Sequence, residues 1–286
     1  MATKKSYTRR ANSKRKTKKS WTTRILLFSI SFLALVIATF TVYQFRDGIL
    51  YYLGFKTNKN VNALSKEERK IADIRIYEVL SKQPDKVVGF DVSQYQGNIQ
   101  WDEIRKIEDT FQLQFVFVRA TAGKNKVDSQ FKENWKQAKK HQFIRGAYHY
   151  YRPNENSIQQ AENFIQTVKL EPGDFPPVLD IEQLPKKQSL DSLKVGLKRW
   201  LTKVEKHYKV KPIIYSGESY YNDFLKKEFS DYPFWIANYN FWRNQPESHW
   251  LLWQFTEKAQ VSGIKGTVDV NIFNGDLIYL RSKLVY

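Results

Sequence analysis

Two carboxylates separated by one residue, Asp180 and Glu182 in the stretch FPPVLDIEQLP at 175–185, carry the first chemical signal in this 286-residue chain. In a strand, alternate side chains share a face, so both acids project together while Leu179 and Ile181 turn into packing. Carboxylates confined to one small space repel. One of such a pair then keeps its proton toward neutral pH, as general acid catalysis requires. The pair also suits a strand end whose acids cap a helix or meet lysines, and the motif alone fits both readings.

Two further acids tip the balance. Asp91 lies in VVGFDVSQYQG and Asp269 in GTVDVNIF, each inside an apolar, β-rich run. Eight such runs follow residue 86, at 87–93, 115–121, 144–151, 176–182, 211–217, 233–239, 251–256 and 268–273. The first five alternate with helix-like stretches. In 189–208, for example, Leu193, Leu197, Trp200, Leu201, Val204 and Tyr208 recur at helical spacing behind a candidate cap at Ser189. The last three runs leave little room for helices. This order predicts an α/β fold, a parallel barrel that loses its later helices. Chemistry in such barrels sits at the carboxyl ends of the strands, and strands one and eight are neighbours once the barrel closes. Four acids from three strands then share one pocket, an arrangement costly to bury without a use.

Aromatic residues crowd the same runs: Tyr148 and Tyr150 in GAYHYY, Tyr215 in IIYSG, Trp235 and Tyr239 in FWIANY, and Trp253 in LLWQF. Such side chains stack on sugar rings, although a single strand aromatic is more often core; as a group they point to a glycosidase. Acids in a barrel also suit Mg²⁺ or Ca²⁺ and phosphodiester hydrolysis. The four histidines, His141, His149, His207 and His249, show no metal-ligand spacing, and TAGKNK at 121–126 lacks the spacing of a phosphate-binding loop. No metal and no cofactor are expected.

The front of the chain has another character. Net charge is +18, and ten of the basic residues fall in 1–24 without an acid, leaving +8 for the remainder. The tail has no interleaved aromatics to stack bases, so no nucleic-acid partner is expected. Behind it, ILLFSISFLALVIATFTVYQF at 25–45 carries no charge, about the length needed to cross a bilayer as a helix. Positive residues stay inside, which predicts a single-pass protein of the bacterial cytoplasmic membrane with its N-terminus inside and everything after Arg46 outside. A cleaved signal peptide, with Val36 and Ala38 before the cut, is the competing reading. Residues 46–86 read as a stalk with a capping box at Ser65–Glu68 opening a helix over 66–80, either a spacer or an extension packed on the main domain at 87–286. The chain has no cysteine, so the exported part must rely on its core.

The ordered segments GFDVSQYQG, FVFVRATAG, GAYHYY, PPVLDIE, PIIYSG, FWIANY, LLWQF and VDVNIFNG, spread over about 87–275, resemble the glycoside hydrolase family 25 lysozymes. That resemblance implies an irregular TIM-like (β/α)5(β)3 barrel and hydrolysis of the β-1,4 bond between N-acetylmuramic acid and N-acetylglucosamine, with peptidoglycan glycan strands as partner. It further implies Glu182 as general acid, Asp180 assisting the other half of the reaction, and Asp91 and Asp269 lining the floor. Tyr148, Tyr215, Trp235, Tyr239 and Trp253 become subsite candidates. A membrane-held copy suggests wall remodelling or service to an envelope-assembly partner. A tethered protein that binds glycan without cutting is the non-enzymatic alternative.

Overall fold

The computed structural model describes residues 21–44 and 64–286, which fall into two units dividing between Lys59 and Asn60. The basic tail through residue 20 and the stalk through residue 63 lie outside the described residues. In the first unit a single helix, α1 (Trp21–Gln44), covers 24 residues. Its described side chains, Phe28, Phe32, Leu35 and Phe40 among them, are exposed. Among the described residues no helix is long and apolar enough to cross a membrane.

The second unit starts with α2 (Lys66–Ser81), opened by the expected capping box: Glu68 N–H donates to Ser65 Oγ at 3.2 Å while Ser65 N–H donates to the Glu68 carboxylate at 3.0 Å. Ile76, Val79 and Leu80 of α2 are buried in the main core cluster. Its contacts are those of a packed extension, not of a free spacer.

Eight strands close on themselves: β1 (Val87–Val92), β2 (Phe111–Ala122), β3 (Ile144–Tyr150), β4 (Val178–Asp180), β5 (Ile213–Gly217), β6 (Phe234–Ala237), β7 (Leu252–Ala259) and β8 (Val268–Phe273). Strands β1 to β7 run parallel to their neighbours, with β1 alongside β2. Here the fold departs from an all-parallel expectation, because β8 is antiparallel to both β7 and β1. Only residues 260–267 join β7 to β8, whereas a parallel return needs a crossover of about a dozen residues or more.

The helices α3 (Phe131–Lys140), α4 (Ser157–Thr167) and α5 (Leu190–Tyr208) follow β2, β3 and β4. Asn156 caps α4 and Ser189 caps α5 through their side chains. Between β1 and β2 stand two short 3₁₀ turns, Gln94–Gln96 and Trp101–Glu103, in place of a helix. After β5 comes a short helical turn, Glu218–Tyr220, running into Tyr221–Leu225. A last short helix, α6 (Leu277–Arg281), follows β8.

Packing falls into two shells. Phe115, Phe117, Phe175, Trp235, Leu252 and Phe273 fill the barrel, and a larger cluster lies between sheet and helices. Burial of both faces is why the strands read as apolar runs instead of alternating ones. Gly146 is required by close approach: a Cβ there would stand 2.2 Å from the Phe117 ring.

His149 turns to the outer shell. It stacks on Trp200 at 5.5 Å and bonds Thr121 Oγ1 at 2.7 Å and Gln160 Oε1 at 3.2 Å. Burial pushes its imidazole down from 6.5 to about 3. The unfolded chain therefore takes up a proton below 6.5 that the folded one refuses, so stability falls as pH drops from 6.5 toward 3. The slope reaches about 1.4 kcal/mol per pH unit, or about 2 kcal/mol by pH 5. Urea unfolding at pH 7.5 and pH 5 should show this loss in the parent protein, and His149→Phe should reduce the difference between the two pH values by that amount.

Candidate active site

The floor is built around Asp91, near the carboxyl end of β1. One carboxylate oxygen, Oδ2, accepts Gln254 Nε2 at 2.8 Å and Asn271 Nδ2 at 2.9 Å. Each amide is oriented from behind. Trp235 Nε1, which can only donate, reaches Asn271 Oδ1 at 2.9 Å. Tyr215 Oη donates to Gln254 Oε1 at 2.7 Å, and Tyr239 Oη donates to the same oxygen. With their oxygens engaged, both amides turn NH₂ toward the carboxylate.

Asp269 is the cross-strand partner of Asp91 in the β1–β8 ladder. The reversed direction of β8 puts its amino end, and so Asp269, level with the carboxyl ends of the other strands. Asp180 ends β4 between Tyr150 and Tyr215 and is 5% exposed. Past it, Ile181 N–H donates to Tyr215 O at 3.0 Å and Ser216 Oγ donates to Ile181 O at 2.7 Å. The chain is thus held against β5 for one more residue, and Glu182 follows half-buried at the mouth.

Three phenols report that the acids converge. Burial raises all three well above their ordinary value. Tyr148 is raised further by Asp91, Asp180 and Asp269, against the opposing charge of Arg119. Tyr215 is raised further by Tyr239, Glu182, Asp180 and Asp269. Tyr239 is raised by Asp269, Glu257, Glu182 and Asp91. Phenols so protected remain hydrogen-bond donors across the ordinary pH range.

The aromatic candidates divide. Tyr148 is half-buried, and Tyr239 leaves 45% of its surface open while its hydroxyl reaches Gln254. Tyr215 and Trp235 are buried floor pieces; Trp235 stacks on Phe117 at 4.5 Å and offers no free ring face. Trp253 does not belong to the pocket. It is 0% exposed, packs in the outer shell with Phe255 and donates to Asn238 O at 2.9 Å. Strand parity explains this, since the inward residue of LLWQF at this level is Gln254.

Sequence reasoning missed Gln254, Asn271 and Arg119. Asn271 stands two residues after Asp269, and strand alternation from that acid marks it. Arg119 is the cross-strand partner of Tyr148, pairs with Asp128 at 2.8 Å and lies over the Tyr95 ring at 4.7 Å. Among the described residues no group of three or more His, Asp or Glu side chains is arranged to hold a metal ion.

A buried cluster of carboxylates with oriented donors and aromatic walls suits proton transfer to and from a polar ligand. The chain is similar to several known proteins. The family model described as "Glycosyl hydrolases family 25" matches residues 90–264. The uncharacterised protein YegX of Escherichia coli strain K12 is 41% identical over 68% of this chain and 72% of its own. Lysozyme M1 of Streptomyces globisporus is 31% identical over 66% of this chain and 68% of its own. Among solved structures, a family 25 glycosyl hydrolase from Bacillus anthracis superposes with a TM-score of 0.61 at 28% identity, covering 70% of this chain and 94% of that one.

Removing Asn271 tests the floor. Asn271→Ala leaves Asp91 with one amide fewer and the Trp235 N–H without its acceptor, and should cost about 1.5–3 kcal/mol in urea unfolding.

Proposed function

The chain belongs to glycosyl hydrolases family 25, and from that premise we propose that it hydrolyses the β-1,4 bond between N-acetylmuramic acid and N-acetylglucosamine in peptidoglycan. The observation that supports this reading is the pairing of Asp91 with Asp269 in the β1–β8 ladder, with Asp180 at the end of β4 and Glu182 just past it, each acid within electrostatic reach of at least two of Tyr148, Tyr215 and Tyr239. Glu182, half-buried at the mouth, delivers a proton to the departing glycosidic oxygen. Asp180, deeper in the wall, orients and polarises the group that attacks the anomeric carbon. Asp91 and Asp269 set the charge of the floor. The amides on Asp91 fix that carboxylate in one orientation before substrate arrives, which is the kind of preorganisation that lowers a barrier. Tyr239 and Tyr148 supply ring surface for a sugar.

The uncharged run at 25–45 behind ten basic residues supports a membrane anchor, with the basic tail in the cytoplasm and the barrel facing the wall. Cutting is then confined to wall near the protein's own membrane, as local remodelling or envelope assembly needs. On this reading, deleting residues 21–44 should move the protein from the carbonate-resistant membrane fraction to the soluble one; membrane retention of the deletion would defeat it.

The reaction is checked by mixing full-length protein with purified peptidoglycan and counting new reducing ends. Glu182→Gln preserves shape and removes the transferable proton, so the rate should fall by about 10²–10⁴-fold with the unfolding midpoint unchanged. Co-sedimentation of the parent protein without reducing ends would make it a binder.

A further inference from the structure

The helix α2 lies outside the residues matched by the family model, yet one of its side chains grips a loop beside the pocket. Arg75 is 6% exposed. Its guanidinium donates to Asn244 Oδ1 at 2.7 Å, to Asn240 O at 3.1 Å and to Arg243 O, and sits 5.6 Å from the Phe241 ring. Gln83, just after α2, donates to Asn244 O at 3.1 Å. All these acceptors belong to one segment, 240–244, which leaves the carboxyl end of β6 directly after Tyr239.

From the other side the loop is tied to the barrel. Arg243 pairs with Glu218 at 3.0 Å and Glu247 at 3.2 Å, and Asn238 donates to Glu218. Tyr239 reaches Gln254, which holds Asp91. In the middle of this braced segment Trp242 is 83% exposed, with its ring edge-on to Phe241 at 5.4 Å. An indole held in the open on a tethered loop has little packing role, and it stands three residues after Tyr239 on the segment that leaves the same strand end.

We propose that Arg75 is a positioning residue: through its grip on residues 240–244 it holds Trp242 as an outlying stacking platform for a sugar ring of the glycan strand. This rests on the peptidoglycan reading above and extends it to a helix the family model does not include. A rigid planar fork suits three acceptors spread along one loop; a lysine ammonium on a flexible stem does not replace it. The effect belongs to binding and not to the bond-breaking step, because the Trp242 ring is open to solvent and has no group that could transfer a proton to the glycosidic oxygen.

The test uses full-length protein, soluble peptidoglycan fragments for turnover and insoluble sacculi for co-sedimentation. Arg75→Ala and Trp242→Ala should each raise KM by about tenfold with kcat within about twofold. Arg75→Lys should behave as Arg75→Ala. The double variant should bind no more weakly than Trp242→Ala alone, since both act through one platform. Hydrogen exchange at the amides of 240–244 should quicken in Arg75→Ala and stay unchanged in Trp242→Ala. Additive losses, an unchanged KM in Arg75→Ala, or a loss confined to kcat would overturn the proposal and leave the hydrolase reading intact. A parent protein that neither cuts nor binds peptidoglycan would sink that reading and this one with it. Trp242 is exposed, so its variant remains interpretable even if Arg75→Ala lowers the unfolding temperature.

Discussion

The geometry of the site depends on how the barrel shuts. Strand β8 is wedged between β7 and β1, running against both, and its ladder with β1 sets Asp269 opposite Asp91. Like charges across a ladder are destabilising. The fold accepts that cost at this one place and offsets it with neutral donors: two amides face Asp91, each pinned by an aromatic N–H or O–H. The indole and phenol rings that do the pinning are also part of the filling of the barrel, so the packing and the electrostatics of the floor are one construction. Pairing the strands in any other register would separate these groups.

Much of this was legible from the chain itself. The eight apolar runs overlap the eight barrel strands, since burial on both faces writes a strand as an unbroken hydrophobic stretch. The four acids stood out because charges inside such stretches are expensive. Strand direction was less visible: nothing in the residues of VDVNIF marks it as reversed, and only the short connection before it does. Facing was lost at LLWQF for the same reason that the strand was easy to see. With both sides apolar, no alternation shows that Gln254 points inward and Trp253 outward. Neutral amides also carry no signature in composition, although the spacing of Asn271 from Asp269 was available.

The helix α2 shows a different limit. Its start was written in Ser65 and Glu68, and the structure reproduces both bonds of the capping box. Its destination was not written, because apolar residues occupy more than one side. Ile76, Val79 and Leu80 are buried while Ile71, Ile74 and Tyr77 are exposed. A buried arginine in the middle of that helix looks unremarkable in sequence, since the carbonyls that receive it lie about 165 residues away.

The plugged axis of the barrel has a further consequence. Phe115, Phe117, Phe175 and Trp235 leave no bore for a chain to thread. Any ligand of the acid cluster therefore approaches across the mouth of the barrel and not along its axis, and the two ends of the cylinder are not connected through it.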